Sequence, residues 1–346
     1  MKIVYTKKFS DLQFIHAGLW AYNQEKLPEL PEVKLPENDR LEGFLLVDEI
    51  NNEKAGGMIF TADPGKRVIH LRYFWIKSAF RGGGYGKALI RQLKEELLKR
   101  DLEKIVLYTS EFQAPSFYPS CGFILTGKYP SCGRKDILDY HYQWVNMKKY
   151  FADHGFALAL ASNSPRRRSL LAEYPVPFRV VTGNAGETSF PGDGEKTVKY
   201  NAYAKAEKVF SMLRENGDNG GKNCIVLGAD TVIESEGKVL GKPSDTADAE
   251  KMLLSLAGKT HKVITGVALI SDHKETVFAE TTFVTFRSLT LEDVRSYMEK
   301  VFVLDKAGAY AAQEHGEMIL EKTEGSMDNV IGLPVVRVVE ELLGRW

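Results

Sequence analysis

Cysteine is scarce: Cys121, Cys132 and Cys224 are the three in 346 residues, and no two form a Cys-x-x-Cys pair. That count excludes a disulfide framework or a zinc knuckle and fits a reducing compartment. Net charge is absent too, with 46 basic against 46 acidic residues, so no global field draws the chain to nucleic acid or a membrane surface. No run reaches the ~18 apolar residues of a membrane span. The opening MKIVYTKKFSDLQF has neither the apolar stretch nor the small-residue cleavage site of a secretion signal. The expectation is a cytoplasmic protein with no nucleic-acid or membrane partner.

What is there is ordinary globular material, 44% hydrophobic and 27% charged. The length exceeds the ~100–200 residues of one domain, which predicts two. Charge is uneven along the chain. Up to about residue 150 it is roughly five units positive, and the remainder is roughly five negative. The patch Lys148 to Gly155 lies between a β-like run (140–147) and a new apolar strand, so it reads as the boundary. The expected domains are 1–149 and 156–346. The first reads as strands at 43–48, 56–61, 67–77, 104–109, 122–127 and 138–147. Its helix at 86–99 carries Leu89, Leu93 and Leu97 at i, i+4, i+8. The second reads as strands at 156–161, 224–229, 262–270 and 276–286, with helices at 165–173, 195–214, 246–257 and 290–299. Arg214 to Asn223 reads as a surface loop.

The strand over 70–77 runs into Arg81-Gly82-Gly83-Gly84-Tyr85-Gly86 and then directly into the helix. Glycines let backbone N–H groups approach an anion, the helix N-terminus adds partial positive charge, and Arg81 adds a full one. The pattern is neither a GxxxxGK[ST] loop nor a dinucleotide fingerprint. A plain Gly-rich turn is the competing reading. Arg-x-x-Gly-x-Gly in this setting, with Ala114-Pro-Ser-Phe-Tyr118-Pro-Ser-Cys-Gly-Phe123 further on, resembles the GCN5-related N-acetyltransferase (GNAT) family over about residues 1–148.

That resemblance implies acetyl-CoA as co-substrate. It places Arg81, Gly82, Gly84, Tyr85 and Gly86 at the pyrophosphate, and the backbones of Trp75 and Ile76 along the pantetheine arm. Tyr118 would protonate the departing thiolate; its competing reading is packing beside Phe117 and Phe123. Segment 109–123 would hold the family's late helix and strand. Glu49 and Glu111 are the candidate bases, Gln113 replaces an asparagine seen in some members, and the acceptor is an unknown amine.

In the second half, Ser164-Pro165 is a helix start, and Arg166, Arg167 and Arg168 crowd its first turn. The helix dipole disfavours cations there, so an anion belongs at the site, unless the turn is simply solvated. Lys205 shares a helical stripe with Val198, Ala202 and Val209, either snorkelling or aimed into a cleft. The run Ile225 to Ile233 holds Asp230 and Thr231 amid apolar residues. A buried carboxylate is unfavourable without a metal, a cation or a proton.

The runs SNSPRRRSLL, GADTVI, GKP, GKTHKVITGVAL, DKAGAYAAQ and VIGLP, in this order, resemble the Maf family of nucleotide pyrophosphatases over 156–346. The resemblance implies hydrolysis of a nucleoside triphosphate between the α and β phosphates, with Mg²⁺ or Mn²⁺. Asp230 would be the catalytic carboxylate and, with Glu187, a metal ligand; one extra residue precedes Glu187. Ser162, Arg166, Arg167, Lys205 and Lys242 would hold the triphosphate. Arg166, Thr231 and Gln313 match the branch acting on dTTP and UTP, although Ala311-Ala312 and Glu314-His315 depart from its pattern. His261 reads as structural, and His16, His70, His141 and His315 have no metal-ligand spacing.

The fold expected is α/β in two domains: a GNAT-type mixed sheet flanked by helices, then a Maf-type elongated mixed sheet with a central cleft. A homodimer is one assembly this reading admits. Two other functions are carried beside the bifunctional enzyme. In one, the first domain binds acetyl-CoA without catalysis. In the other, the chain inhibits septum formation by binding.

Overall fold

A computed structural model describes all residues except 31–32, 38–39, 132–133, 175, 218–222 and 345–346, and the backbone alone of Lys135. Cys132 and the middle of the loop expected over 214–223 lie outside the described residues. The chain divides into two compact units, Met1–Tyr150 and Phe151–Trp346. Among the described residues no helix is long and apolar enough to cross a membrane.

The first unit runs β1 (Lys2–Thr6), α1 (Phe9–Lys26), β2 (Leu41–Val47), β3 (Lys54–Asp63), β4 (Val68–Ile76), α2 (Tyr85–Lys99), β5 (Lys104–Ser110), β6 (Ile124–Ser131) and β7 (Arg134–Val145). The strands form one sheet in the order β1-β2-β3-β4-β5-β7-β6. α2 buries Leu89, Ile90, Leu93 and Leu97, as its i, i+4 spacing requires, against Phe60, Ile69, Leu71, Ile105 and Leu107. β4 and β5 pair in parallel only from Val68/Lys104 to Leu71/Leu107, while β4 continues to Ile76 and β5 to Ser110. A register shift between Ile59 and Phe60 leaves Arg72 as an extra residue where the strands part. The gap beyond that point is the first unit's cleft.

Two expectations change. The patch Lys148 to Gly155, read as the boundary, is instead mostly helix α3 (Met147–His154), with Met147 and Phe151 buried one turn apart. The late helix becomes two single 3₁₀ turns, Pro115–Phe117 and Pro119–Cys121. Each begins at a proline, which lacks the N–H that a continuing α-helix uses.

The second unit runs β8 (Phe156–Leu160), α4 (Pro165–Glu173), β9 (Phe178–Val180), α5 (Gly194–Glu215), β10 (Asn223–Ser235), β11 (Lys238–Leu240), α6 (Thr246–Leu256), β12 (Thr260–Ile270), β13 (Glu275–Phe286), α7 (Leu291–Lys300), β14 (Leu320–Glu324), α8 (Met327–Ile331) and α9 (Val335–Leu343). Its sheet order is β14-β13-β12-β10-β8-β9, with β11 beside β10. β10 pairs parallel to β8 and antiparallel to β12, a mixed sheet with β10 in the interior.

α5 lies almost backbone to backbone on this sheet. A Cβ at Gly228 would stand 2.2 Å from the Ala202 carbonyl oxygen, and one at Gly266 would stand 2.3 Å from that of Val198. Only glycine permits such an approach, and it brings side chains one turn apart on α5 onto the middle of β10.

Candidate active sites

The cleft of the first unit encloses about 450 Å³. Trp75, Ile76, Arg81, Gly82, Gly84, Tyr85, Gly86 and Tyr118 line it, with Tyr22, Lys87 and Gln113. Gly84 caps α2 at φ +77°, a left-handed conformation, and the space beside its Cα is open. The free N–H groups of the α2 first turn therefore face a gap, as anion binding requires. Arg81 donates from Nε to the Ile76 carbonyl at 2.8 Å, and its guanidinium lies 5.1 Å from the Tyr22 ring centre. The Ile76 carbonyl is thus engaged internally.

Tyr118 is buried among Phe117, Phe123 and Tyr142, and burial pushes its hydroxyl pKa well above the ordinary tyrosine value. Neither candidate base lies among the lining residues. Glu49 pairs with the terminal amine of Met1 at 3.1 Å, and Glu111 is exposed. Gln113 is tied internally: its Oε1 accepts from Thr109 Oγ1 (3.0 Å) and the Ser110 N–H (3.1 Å), and its Nε2 donates to Asn23 Oδ1 (3.0 Å).

The second unit holds a larger, polar cavity of about 590 Å³. It is lined by Ser162, Arg166, Arg167, Glu187, Lys205, Asp230, Thr231, Lys242 and Gln313. Asp230 sits midway along β10 and is 8% exposed, yet both oxygens are satisfied from α5. Lys205 Nζ donates to its Oδ1 at 2.6 Å, and Asn201 Nδ2 to its Oδ2 at 2.9 Å. Lys205 therefore aims into the cleft rather than snorkelling. The same ammonium lies 2.7 Å from Glu187 Oε1, and that hydrogen bond holds the Glu187 carboxyl below the usual carboxylate range.

Ser164 caps α4, its Oγ accepting the Arg167 N–H. Arg167 then spans three elements. Nε donates to the Gly332 carbonyl (2.8 Å), one terminal nitrogen to Thr231 Oγ1 (3.0 Å) and the other to Ser162 Oγ (3.4 Å). Desolvation lowers its pKa, and the Asp230 charge opposes that shift. Arg166 pairs with Asp305 at 3.0 Å. His261 is 2% exposed, packs against Phe286 and Tyr310, and is held near pKa 4 by burial.

One residue here went unread in the sequence, and two more were read only as part of a run. Asn201 is 3% exposed, and its Oδ1 also accepts the Thr188 N–H at 2.8 Å, so it links Asp230 to the segment bearing Glu187. Its position four before Lys205 was the available signal. Asp305 and Lys306 come from the late loop. Lys306 is 5% exposed and bonds Asp305 at 2.9 Å.

Each α/β unit carries its own cleft, lined by residues that the sequence singled out, as in an enzyme with two separate active sites. The chain belongs to the Maf-like protein family, whose model matches residues 157–345, and the acetyltransferase (GNAT) family model matches residues 12–123. A protein of Akkermansia muciniphila named dTTP/UTP pyrophosphatase is 48% identical over 188 residues, 54% of this chain and 94% of the relative. One of the same name from Bacillus cereus is 42% identical over 201 residues, 57% of this chain and 90% of the relative. Among solved structures, an aminoglycoside 6'-N-acetyltransferase from Enterococcus faecium aligns at 17% identity and TM-score 0.33. That alignment covers 42% of this chain and 97% of the other.

Proposed function

We propose that the second unit hydrolyses dTTP and UTP to the monophosphate and pyrophosphate, and that the first transfers acetyl from acetyl-CoA to an amine. The carrying observation for the hydrolase is Asp230, fixed between Lys205 and Asn201 on the floor of a cavity lined by Arg166, Arg167 and Lys242. Asp230 takes a proton from the attacking water as its oxygen bonds the α-phosphorus. The α–β anhydride bond breaks, and pyrophosphate leaves with the electron pair. The arginines and lysines neutralise the developing charge, which dominates phosphoryl-transfer catalysis.

A hard divalent cation suits the donor set. Glu187 and Asp230 both present oxygens to one point, where the Lys205 ammonium now stands as the cation. When bound there, Mg²⁺ or Mn²⁺ supplies further charge neutralisation at the phosphates. The pyrimidine preference draws support from Gln313 and Thr231 in the lining and from the relatives' names. Pyrophosphate release measured with UTP, dTTP and 7-methyl-GTP tests it. Turnover of UTP and dTTP is expected, and cleavage of 7-methyl-GTP alone would overturn the assignment.

In the first unit the amine nitrogen bonds the thioester carbonyl carbon, the C–S bond breaks, Tyr118 gives its proton to the leaving thiolate, and the proton shed by the nitrogen passes through solvent to restore the phenol. Its raised pKa suits an acid that stays protonated at neutral pH. Gly84→Val puts a branched side chain into the open space at the α2 N-terminus. By calorimetry the variant should bind acetyl-CoA at least about tenfold more weakly. Unchanged affinity would remove the pyrophosphate from this loop. A cytoplasmic location draws support from the scarcity of cysteine and the lack of any Cys-x-x-Cys pair in the sequence.

A further inference from the structure

The cavity wall at Tyr310, Ala311 and Gln313 is held from behind by two buried side chains. Tyr297 on α7 is fully buried. Its hydroxyl accepts the Ala311 N–H at 2.9 Å and donates to the Ala311 carbonyl at 3.2 Å. His261 on β12 places Nε2 2.9 Å from the Tyr310 hydroxyl. The Gly308 N–H donates to the Gly241 carbonyl at 2.9 Å, beside Lys242. Between these ties Ala309 holds φ +63°, which a residue with a Cβ adopts at a penalty of about 1 kcal/mol or more. Three elements therefore over-determine one strained segment.

An ordinary core tyrosine satisfies its hydroxyl with any one partner. Tyr297 instead commits both donor and acceptor capacity to the main chain of a single residue. That residue lines the cavity and lies two positions before Gln313. Reading a nucleobase edge by hydrogen bonds requires its partners to be held within about 0.5 Å.

We propose that Tyr297, with His261 behind Tyr310, is a positioning residue: it fixes the main chain of 310–313 and thereby sets which base the second cavity accepts. The proposal rests on the reading of that cavity as a nucleoside triphosphate site. Tyr297→Phe keeps the ring and removes both bonds. It should leave kcat for UTP within about threefold, raise its KM about tenfold and cut the preference for UTP over GTP about tenfold.

Val294→Ala, on the same helix and fully buried, is the control for general destabilisation and should keep the preference intact. Steady-state pyrophosphate release with each nucleotide, alongside thermal melting, reads both variants. If Tyr297→Phe melts lower yet retains the wild-type preference, as the control does, the positioning role is wrong. Should Tyr297→Phe not fold, His261→Leu puts the same question through Tyr310, with the same two outcomes. A wild-type protein inactive on every triphosphate would instead sink the site reading itself, and the wild-type arm tells the two failures apart.

Discussion

Asp230→Asn is expected to lower pyrophosphate release from UTP on the order of 10³-fold, with KM changing only a few-fold. The substitution preserves shape but removes the group that accepts the water proton. It also disturbs the support around that group. One amide nitrogen must now face either the Lys205 ammonium or the Asn201 amide, where the carboxylate accepted from both. Asn201 is not free to turn its amide over, because its Oδ1 already accepts the Thr188 N–H. Lys205 keeps Glu187 as a partner, so no ammonium is stranded and the fold should survive. Thermal melting beside steady-state kinetics separates lost chemistry from lost structure. A folded variant with more than about a tenth of wild-type turnover would remove Asp230 from the proton-accepting role.

Much of this arrangement was legible where a local rule was broken. A carboxylate in an apolar strand and arginines at a helix start are both unfavourable in isolation, and each marked a segment that lines the cavity. The α2 leucines were legible because their spacing admits one buried face. Lys205 was not, since the same stripe serves a snorkelling side chain and a cleft-facing one. Contact of α5 with β10 across Gly228 decides it. The role of Asp305 within its run was opaque for a different reason: its partner Arg166 lies 139 residues earlier, a pairing that only the tertiary fold creates. Helix α1 escaped notice because it buries little, chiefly Leu12, Ile15 and His16. Met147 and Phe151 did carry a helical signal, but the polar residues around them read as a boundary.

Arg167 carries the second large effect, and here stability and catalysis should fall together. Arg167→Met fills part of the space but leaves the Gly332 carbonyl with only a long contact from Thr231 Oγ1 (3.5 Å), while Thr231 keeps Thr265 and Ser162 keeps the Ser164 N–H. A buried carbonyl that loses its good donor costs about 1–3 kcal/mol, so the second unit should melt a few degrees lower. Loss of a guanidinium at the phosphates should also lower kcat/KM for UTP on the order of 10²- to 10³-fold. Arg167→Lys separates charge from geometry. A lysine keeps the positive charge, but a single ammonium on a flexible stem cannot match a planar fork that reaches three acceptors on different elements. It should recover part of kcat/KM and little of the stability. Arg166→Met offers the contrast. Its pairing with Asp305 is partly exposed and worth at most about 1 kcal/mol, so its melting temperature should stay near wild type while KM rises. If Arg167→Lys matches wild type in both melting and kcat/KM, the three acceptors are incidental and the residue acts as a point charge alone.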